Sequence, residues 1–180
     1  MPVALFALVK FSSRSERPLP EPGVNGLGKE ITLALFSDSG DSQGTAQVRR
    51  IIKTEEEWRK VLNGAEFAVT RQRGTERAYS GSTWNEHRVG VYRCTCCATA
   101  LFRSSDKFDS GTGWPSFSAP IADQNITLAK DVSLYLERVE VICAKCDAHL
   151  GHVFNDGPGP TGKRFCMNSA AMRFKPGENL

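Results

Sequence analysis

Hydrophobic and polar residues alternate most clearly in the second half of the chain, from about Gly90 onward. Residues 134–143 read LYLERVEVIC, in which successive side chains differ in polarity. This period-two alternation predicts a long β-strand with two differently exposed faces. Residues 164–174, RFCMNSAAMRF, predict a second long strand. Gly-, Pro- and Asp-rich loops at 110–113 and 156–162 separate these segments.

Residues 54–63 have the pattern of a short helix that ends by Gly64. Thr54 and Glu57 form a capping box, and the three glutamates of the first turn interact favourably with the helix dipole. Trp58 and Leu62 lie four residues apart and are expected to pack on the core. Because strands dominate and no βαβ rhythm is present, we predict a mainly β domain of antiparallel sheets with short N-terminal helices.

The first 48 residues differ in composition from the rest. Prolines and glycines interrupt any regular pattern, so we predict a largely disordered or loosely packed extension at 1–48, a domain at 49–177 and a tail at 178–180. The first fifteen residues carry Lys10, Arg14, three serines and no acid. This favours either an organellar presequence or an ordinary extension. We expect a cytoplasmic protein, with a mitochondrion or another organelle, reached through residues 1–20, as the alternative.

Charge and hydropathy exclude several classes of protein. The chain has 23 basic and 20 acidic residues, a formal net charge of +3, and 40% hydrophobic residues. This balance is typical of a globular protein, and the charge is too small to indicate a nucleic-acid partner. The longest mainly apolar run, residues 3–9, is far too short to cross a bilayer. We therefore expect neither nucleic acid nor membrane as a partner.

Five of the six cysteines fall in two tight groups, each of which contains a C-x-x-C knuckle. Two knuckles can supply four thiolates in tetrahedral geometry to one Zn²⁺, and a site with four cysteine ligands is closed and structural. The alternative is a set of buried or redox cysteines. We predict one structural zinc per chain, with Cys96 left over as a spare thiol. The predicted ligands are Cys94, Cys97, Cys143 and Cys146.

Cys166 stands apart from the knuckles and is the candidate reactive thiol. Arg164 and Asn168 lie two residues on either side, so a strand would place all three side chains on one face. A neighbouring cation lowers the pKa of a thiol, although an ordinary buried cysteine is an equally simple interpretation. Two histidines, His149 and His152, favour proton transfer near neutral pH. They could instead be metal ligands.

Taken together, these motifs make the sequence resemble the methionine-R-sulfoxide reductase B family over about residues 49–177. The resemblance is carried by Gly74-Thr75-Glu76, both knuckles, DSGTGWPSF at 109–117, CDAHLGHVFNDGPGPTG at 146–162 and RFCMNSAAMRF at 164–174. It implies two antiparallel β-sheets of the β-tent type, a structural zinc site, and thiol-dependent repair of methionine-R-sulfoxide, protein-bound or free, after oxidative stress.

The family's functional residues carry over onto matching positions of this chain. The resemblance implies that Cys166 is the nucleophile and that the ring of Trp114 packs against the substrate methyl group. It further implies attack by the Cys166 thiolate, protonation of the oxygen by the imidazolium of His152, and a sulfenic acid on Cys166. It also implies that His149 and Asn168 belong to the catalytic residues that line the sulfoxide pocket, and that His149 can share the role of the acid. The remaining substrate-binding residues are Phe154, Asp156 and Arg164.

One position departs from the family pattern. Many members have a resolving cysteine in Gly-Cys-Gly-Trp-Pro, where this chain has Thr112. The resemblance therefore implies a one-cysteine enzyme, a monomer that acts on oxidised proteins and is regenerated by thioredoxin, glutaredoxin or a small thiol. The alternative from another class is a zinc-held β binding module without turnover, for which Cys166 beside two histidines would have no purpose.

Overall fold

The computed structural model describes residues 27–132 and 137–177. Two short helices follow the first two strands: α1 at Glu55–Val61 and α2 at Gly64–Thr70. The predicted capping box is confirmed, since the Thr54 hydroxyl accepts from the Glu57 amide and the Glu57 carboxylate accepts from the Thr54 amide. The eleven strands among the described residues are β1 Leu27–Phe36, β2 Ser42–Ile51, β3 Gly90–Cys94, β4 Ala100–Arg103, β5 Lys107–Phe108, β6 Ser116–Phe117, β7 Ile126–Asp131, β8 Arg138–Cys143, β9 His149–Phe154, β10 Arg164–Met167 and β11 Met172–Pro176.

The strands form three antiparallel sheets. A six-stranded sheet has the order β5-β6-β10-β9-β8-β7, a three-stranded sheet has the order β11-β3-β4, and β1 and β2 form a hairpin. The six- and three-stranded sheets confirm the predicted mainly β fold of antiparallel sheets with short helices. No helix within 27–132 or 137–177 is both long enough and apolar enough to cross a membrane.

Aromatic rings fill the space between the two larger sheets. Tyr92 and Phe102 of the three-stranded sheet pack on Phe117 of the six-stranded sheet, with ring centroids 4.8 and 4.4 Å apart. Phe165 of β10 packs on Phe102 at 5.8 Å. The residue after Phe165 is Cys166, and adjacent strand residues point to opposite faces of a sheet. The core residue therefore fixes the face on which Cys166 lies.

The hairpin β1–β2 occupies much of the segment for which the sequence predicted disorder or loose packing. For residues 27–48 that prediction is wrong, whereas residues 1–26 lie outside the described residues. Ala34 and Phe36 are buried against Val91 of β3. The Asn125 side chain, fully buried, bonds both the amide and the carbonyl of Ala34 and the carbonyl of Ala100 at 2.8–2.9 Å. Partners this distant in sequence leave no local pattern in the hairpin itself.

The two predicted long strands are shorter than expected. Of the segment 134–143, residues 138–143 are strand β8, and residues 133–136 lie outside the described part of the chain. The segment 164–174 is not one strand, because a 3₁₀ turn at Ser169–Ala171 separates β10 from β11. The turn allows the chain to leave the six-stranded sheet and pair with β3 in the other.

Candidate active site and metal centre

Cys166 lies within the six-stranded sheet in a row of chemically active side chains. It pairs with Ser116 of β6 on one side and with His152 of β9 on the other. Glu140 of β8 in turn pairs with His152. Directly paired residues of antiparallel strands project to the same face. The sequence-predicted nucleophile and acid are thus neighbours on one surface of the sheet.

A β-bulge brings the second histidine to the same place. Residues three apart in a regular strand point to opposite faces, yet the rings of His149 and His152 are 5.3 Å apart. The pairing of β8 with β9 shifts by one residue between Val141 and Ile142, which leaves Leu150 as an extra residue in β9. A Cβ at Gly151 would collide with the backbone of Cys166 and Met167, so glycine permits this close packing.

Each histidine bonds to a buried or half-buried carboxylate. His149 Nδ1 is 2.8 Å from Glu140 Oε1, and Glu140 also bonds Arg73 at 3.0 Å. His152 Nε2 is 2.7 Å from Asp131 Oδ2. Burial is the largest influence on His152 and holds its pKa below the ordinary value, although the bond to Asp131 opposes this shift. Asp131 and Glu140 are site residues that sequence reasoning missed, because no motif marks them.

Asp131 is held in turn by Arg138, whose guanidinium lies 2.8 Å away. At the other histidine, the Nε2 atom is buried and has no hydrogen-bond partner among the described residues. Because its Nδ1 is engaged by Glu140, a His149 proton available to a ligand would be on Nε2. For His152, whose Nε2 is engaged by Asp131, the available nitrogen is Nδ1.

The thiol of Cys166 is half-buried, and burial raises its pKa above the ordinary value. The cation of Arg164 and hydrogen bonds with Thr112, Ser116 and Arg164 act in the opposite direction and favour the thiolate, but burial outweighs them. Arg164 is fixed by two hydrogen bonds to Asp156, at 2.9 and 2.8 Å, and its guanidinium lies over the Phe154 ring at 4.5 Å. The structure thus brings Arg164, Asp156 and Phe154 together beside Cys166.

Trp114 lies on a glycine-containing loop beside the row. Its ring is half-buried, and its Nε1 donates to the carbonyl of Glu76 at 3.1 Å. The loop is tied to β10 by the bond from the Met167 amide to the Pro115 carbonyl, at 3.0 Å. Tyr79 also holds this loop, since its hydroxyl donates to the Gly111 carbonyl and its amide donates to the Gly113 carbonyl. These bonds fix the loop that carries Trp114 next to β10, the strand that contains Cys166.

Glu76 connects this loop to the chain after Cys166. Its carboxylate accepts from the amides of Ser169 and Ala170 at 2.6 and 2.9 Å. Its own amide donates to Asn168 Oδ1, and Asn168 Nδ2 donates to the Leu150 carbonyl, both at 3.1 Å. Both ends of the Asn168 amide thus bond backbone groups. The motif Gly74-Thr75-Glu76 was the sequence signal for Glu76.

The four predicted zinc ligands come together at the ends of strands β3 and β8. Their sulfur atoms all lie within 4.8 Å of one another. Cys94 and Cys146 are 3.7 Å apart, and Cys97 and Cys143 are 3.5 Å apart. Four thiolates around Zn²⁺ at about 2.3 Å require sulfur separations of roughly 3.8 Å. The cluster therefore fits a tetrahedral metal ion, and Cys96 is not among the four.

The two knuckles have the same backbone geometry. In each, the first cysteine donates its amide to the residue five positions on and accepts from the residue four positions on. The residue four positions on, Ala98 or Asp147, has a positive φ of 60° or 56°. Two hydrogen bonds connect the second knuckle to the end of β2 and the end of α2. The Ile51 amide donates to the Lys145 carbonyl at 2.8 Å, and the Arg71 guanidinium donates to the Cys146 carbonyl at 2.9 Å.

The cluster and Cys166 are separate sites. Cys143 is three residues along β8 from Glu140, and β8 is two strands away from β10. Strand spacings of about 3.3 Å per residue and 4.8 Å per strand give a Cα separation of roughly 14 Å between Cys143 and Cys166. Cys96 contacts Cys94 and Cys146 at the cluster. A disulfide needs Cα atoms within about 7 Å.

Comparison with known proteins agrees with this geometry. Residues 62–176 match the family model described as "SelR domain". The chain is 51% identical over 127 residues to peptide methionine sulfoxide reductase MsrB of Bradyrhizobium diazoefficiens, which covers 71% of this chain and 91% of that protein. Chloroplastic peptide methionine sulfoxide reductases B1 of Oryza sativa and Arabidopsis thaliana are 58% and 56% identical over 123 and 121 residues.

The aligned region covers 68% and 67% of this chain but spans only 57% and 59% of the length of those two plant relatives. The family match extends from the end of α1 to the end of β11, so it includes the Cys166 row, the Trp114 loop and both knuckles. The hairpin β1–β2 lies before it. The chain therefore belongs to the methionine-R-sulfoxide reductase B family, through its SelR domain.

Proposed function

We propose that this protein reduces methionine-R-sulfoxide, protein-bound and free, to methionine with thiols as the electron source. The observation that carries the proposal is the row in which Cys166 lies between His152 and Ser116, with Trp114 presented beside it. Family membership supports the same chemistry, since the relatives are named peptide methionine sulfoxide reductases. Damaged proteins are accordingly the proposed substrates, and repair after oxidation is the proposed role.

The first step is attack by the Cys166 thiolate on the sulfoxide sulfur. The attack joins the two sulfur atoms, and the oxygen then moves to the Cys166 sulfur as its bond to the substrate sulfur and the sulfur–sulfur bond both break. Methionine leaves with its sulfur reduced by two electrons, and Cys166 is oxidised by two electrons to a sulfenic acid. The proton required by that oxygen comes from an imidazolium. We assign this role to His152, on the strand adjacent to Cys166, with Nδ1 as the donating atom because Nε2 bonds Asp131.

His149 is the second candidate for the acid. A specific observation favours it, namely that its Nε2 is buried without a partner among the described residues while Glu140 engages Nδ1. Buried polar atoms normally have partners, so a ligand oxygen is a natural partner for this nitrogen. We therefore propose that His149 donates a hydrogen bond to the sulfoxide oxygen while His152 supplies the proton.

The other pocket residues bind and orient the substrate. The Trp114 ring is proposed to provide an apolar wall for the S-methyl group. Phe154, Arg164 and Asp156, which contact one another beside Cys166, are proposed to contact the rest of the substrate. Only the R epimer can place the methyl group on this wall and the oxygen toward the histidines. Asn168 is proposed to act through Glu76 and Leu150, because its amide bonds their backbone groups.

Regeneration requires external thiols. Thr112 occupies the position of the family's resolving cysteine and favours the Cys166 thiolate by lowering its pKa, and Cys96 lies at the knuckles instead. One thiol attacks the sulfenic acid and releases water, which leaves a mixed disulfide. A second thiol releases Cys166 and an external disulfide. We propose thioredoxin, glutaredoxin or a small thiol as the donor, and a monomer as the active form.

The four-cysteine cluster is proposed to hold one Zn²⁺ that ties the two knuckles together. With four sulfur ligands the ion has no open position, so it supplies cross-linking of β3 to β8 and no chemistry to the substrate. The rival function, a zinc-held binding module without turnover, accounts for the cluster equally well. It does not account for a thiol flanked by a histidine and an arginine–aspartate pair.

The compartment is proposed from the beginning of the chain, which lies outside the described residues. The names of two plant relatives place them in the chloroplast, and residues 1–20 carry positive charges and serines without an acid before Glu16. We propose organellar import, with a cytoplasmic protein as the alternative. Imaging a fluorescent fusion of the full chain, against one that begins at Leu27, distinguishes the two.

An assay with resolved epimers tests the function directly. The parent protein should consume methionine-R-sulfoxide, free and in a peptide, with dithiothreitol and with thioredoxin, and should leave the S epimer unchanged. Cys166→Ser should have no activity, whereas Cys96→Ser should retain it. Absence of turnover in zinc-loaded, folded protein with every reductant would support the binding module instead.

A further inference from the structure

The carboxylate of Glu76 caps the 3₁₀ turn that follows the Cys166 strand. It accepts from the amides of Ser169 and Ala170, the first two residues of this turn, at 2.6 and 2.9 Å. Among the described residues, Asn168 at the start of the turn makes no capping bond with its side chain. Glu76 therefore supplies, from more than ninety positions away, the acceptors that these amides would otherwise lack.

The backbone of Glu76 reaches the Trp114 ring. Its carbonyl accepts from Trp114 Nε1 at 3.1 Å. An indole ring has a single N–H and no acceptor, so this bond uses the whole hydrogen-bonding capacity of the Trp114 side chain. The carboxylate of Glu76 thus anchors the residue whose carbonyl orients the ring.

Close packing restricts the Glu76 carboxylate to one position. A Cβ added to Gly81 would collide with Glu76 Oε1 and with Ser169 Oγ, so the backbone of residue 81 lies directly against the capped turn. Ser169 Oγ in turn accepts from the Thr83 amide at 3.3 Å. A side chain at position 81 would therefore displace the carboxylate without altering Glu76 itself.

Other bonds hold the rest of the site in place. The backbone of the tryptophan loop is held by the bond from the Met167 amide to the Pro115 carbonyl, at 3.0 Å. The β-bulge that brings the two histidines together is held by Asn168, whose amide and Nδ2 donate to the Leu150 carbonyl at 2.9 and 3.1 Å. Neither restraint uses the Glu76 side chain. Its specific contribution is therefore to the direction of the tryptophan ring.

We propose that Glu76 is a positioning residue that fixes the Trp114 ring relative to the end of β10. The capped turn holds Glu76 on one side, and the indole bond transmits its position to the ring on the other. That this ring receives the S-methyl group rests on the proposed function. There, a ring held in one orientation places the substrate sulfur accurately for attack, whereas a mobile ring binds the substrate less well.

Kinetics with methionine-R-sulfoxide provide the first test. Glu76→Ala removes both bonds to the turn and should raise KM by roughly 3- to 10-fold, the effect of losing one hydrogen bond. It should change kcat little, because the histidine bulge keeps its own bonds. Glu76→Gln retains one acceptor oxygen for two amides, so its KM should lie between those of the parent and Glu76→Ala. Gly81→Ala should reproduce the effect of Glu76→Ala.

A double-mutant cycle with Trp114→Phe isolates the indole bond. Phenylalanine has no N–H, so in the Trp114→Phe background Glu76→Ala should raise KM no further. The same increase in both backgrounds would overturn the proposal, because Glu76 would then act on substrate binding without the indole bond.

Hydrogen exchange of the Trp114 indole N–H tests the positioning without substrate or reductant. In NMR spectra of ¹⁵N-labelled protein, this signal should exchange faster in Glu76→Ala than in the parent, while that of Trp58, buried in the core, stays unchanged. Unchanged exchange at Trp114 would overturn the proposal. Faster exchange in a variant of an inactive parent would instead refute the proposed function and support the positioning role.

Glu57→Ala is the matched control. The Glu57 carboxylate also accepts from a backbone amide, that of Thr54 at 2.7 Å, but in the capping box of α1. Its loss should lower the thermal stability and leave KM and the exchange of the Trp114 indole as in the parent. An increase in KM shared by Glu57→Ala and Glu76→Ala would reflect general loosening of the fold and would overturn the specific role of Glu76.

Discussion

The protein holds its cysteines in two contrasting environments. At the knuckles, four sulfurs lie within 4.8 Å of one another, and Cys94, Cys143 and Cys146 are almost inaccessible to solvent. In the six-stranded sheet, Cys166 is a single half-buried thiol surrounded by hydroxyls, a histidine and a guanidinium. The two environments nevertheless share one sheet, since the knuckle residue Cys143 is the last residue of β8 and Cys166 lies inside β10.

The difference lies in what compensates a buried sulfur charge. Four thiolates repel one another, and a bound cation is the group that can neutralise them together. The single thiol has one cation, Arg164, which is shared with Asp156, and it relies on hydrogen bonds that are easily rearranged. The first arrangement suits four sulfurs that stay bound to one metal ion, and the second suits the reactive role proposed for Cys166.

The largest effect is expected at the knuckles. Cys143→Ser should lose the metal and unfold the β domain, because zinc binding by such sites amounts to about 10–16 kcal/mol and is coupled to folding. Circular dichroism and elemental analysis measure both losses. Cys96→Ser is the matched control and should keep the metal and the fold. Protein purified without chelators that contains no zinc would contradict the assignment.

At the other site, removal of an acid should reduce activity without unfolding. His152→Ala should lower kcat/KM by roughly 10²–10⁴-fold, the usual contribution of a positioned acid. His87→Ala provides the control, since the His87 ring is exposed and bonds Asn85. A larger loss in His149→Ala than in His152→Ala would reverse the assignment of the proton donor.

The pH dependence of kcat/KM should show that the acid and the nucleophile need opposite protonation states. The pKa of His152 is lowered by burial and that of Cys166 is raised by burial. Thiolate is gained as pH rises and imidazolium is lost, so kcat/KM should be highest between the two pKa values and fall on either side. Between the two pKa values, most molecules have a neutral His152 and a neutral Cys166 thiol. The reactive combination of imidazolium and thiolate is therefore a minority form at every pH.

Arg164→Gln should widen the gap between the pKa values of His152 and Cys166. Without the cation, the pKa of Cys166 should rise further, by on the order of one unit, and the basic limb of the profile should move to higher pH. The maximum should fall by a similar factor, since less thiolate coexists with imidazolium. A basic limb that stays in place would show that Arg164 does not act on the thiol.

Trp114→Ala should have a smaller effect, confined to substrate binding. Loss of the apolar wall should raise KM more than it lowers kcat and should reduce discrimination between the R and S epimers. The fold should change little because the ring is half-buried. Trp114→Phe keeps the apolar surface without the bond to Glu76, so it should retain most of the discrimination. Equal consumption of both epimers by the parent protein would contradict the proposed geometry.

Local patterns carried much of the information about both regions. The capping box at Thr54, the knuckle spacing and the resemblance around Cys166 predicted elements that the structure contains. Each of these depends on residues a few positions apart, so the sequence alone can reveal it. The same reasoning failed where partners are distant. The order of hairpin β1–β2 depends on Asn125, more than 70 positions along the chain from Ile51, and on Val91.

The candidate site shows the same limit. No spacing rule places His149 and His152 on one face, because the extra residue Leu150 becomes apparent only in the pairing with β8. Glu76 was visible as part of a motif, but its role follows from bonds to Ser169 and Ala170, more than ninety residues away. Likewise, the break of 164–174 at Ser169 reflects a change of sheet, which local alternation does not encode.

The smallest effect is expected at Thr112, the residue that stands beside Cys166 where many family members have a second cysteine. Thr112 acts on Cys166 by lowering the pKa of its thiol, whereas Cys96 remains with the knuckles. After one turnover without reductant, Cys166 should therefore be trapped by a sulfenic-acid reagent such as dimedone. It should not form a disulfide within the chain.

Thr112→Cys should provide a thiol within the chain that reacts with the sulfenic acid of Cys166. The new thiol would attack the sulfenic acid, release water and form a disulfide with Cys166, because its position already allows a side-chain contact. Trapping should then disappear, and the rate with thioredoxin should rise by a few-fold at most, since the protein still depends on an external reductant. Thr112→Ser should behave as the parent does. A stoichiometric disulfide between Cys96 and Cys166 in the oxidised parent would show that the two regions exchange electrons, and the distinction between a permanent and a reactive cysteine site would fail.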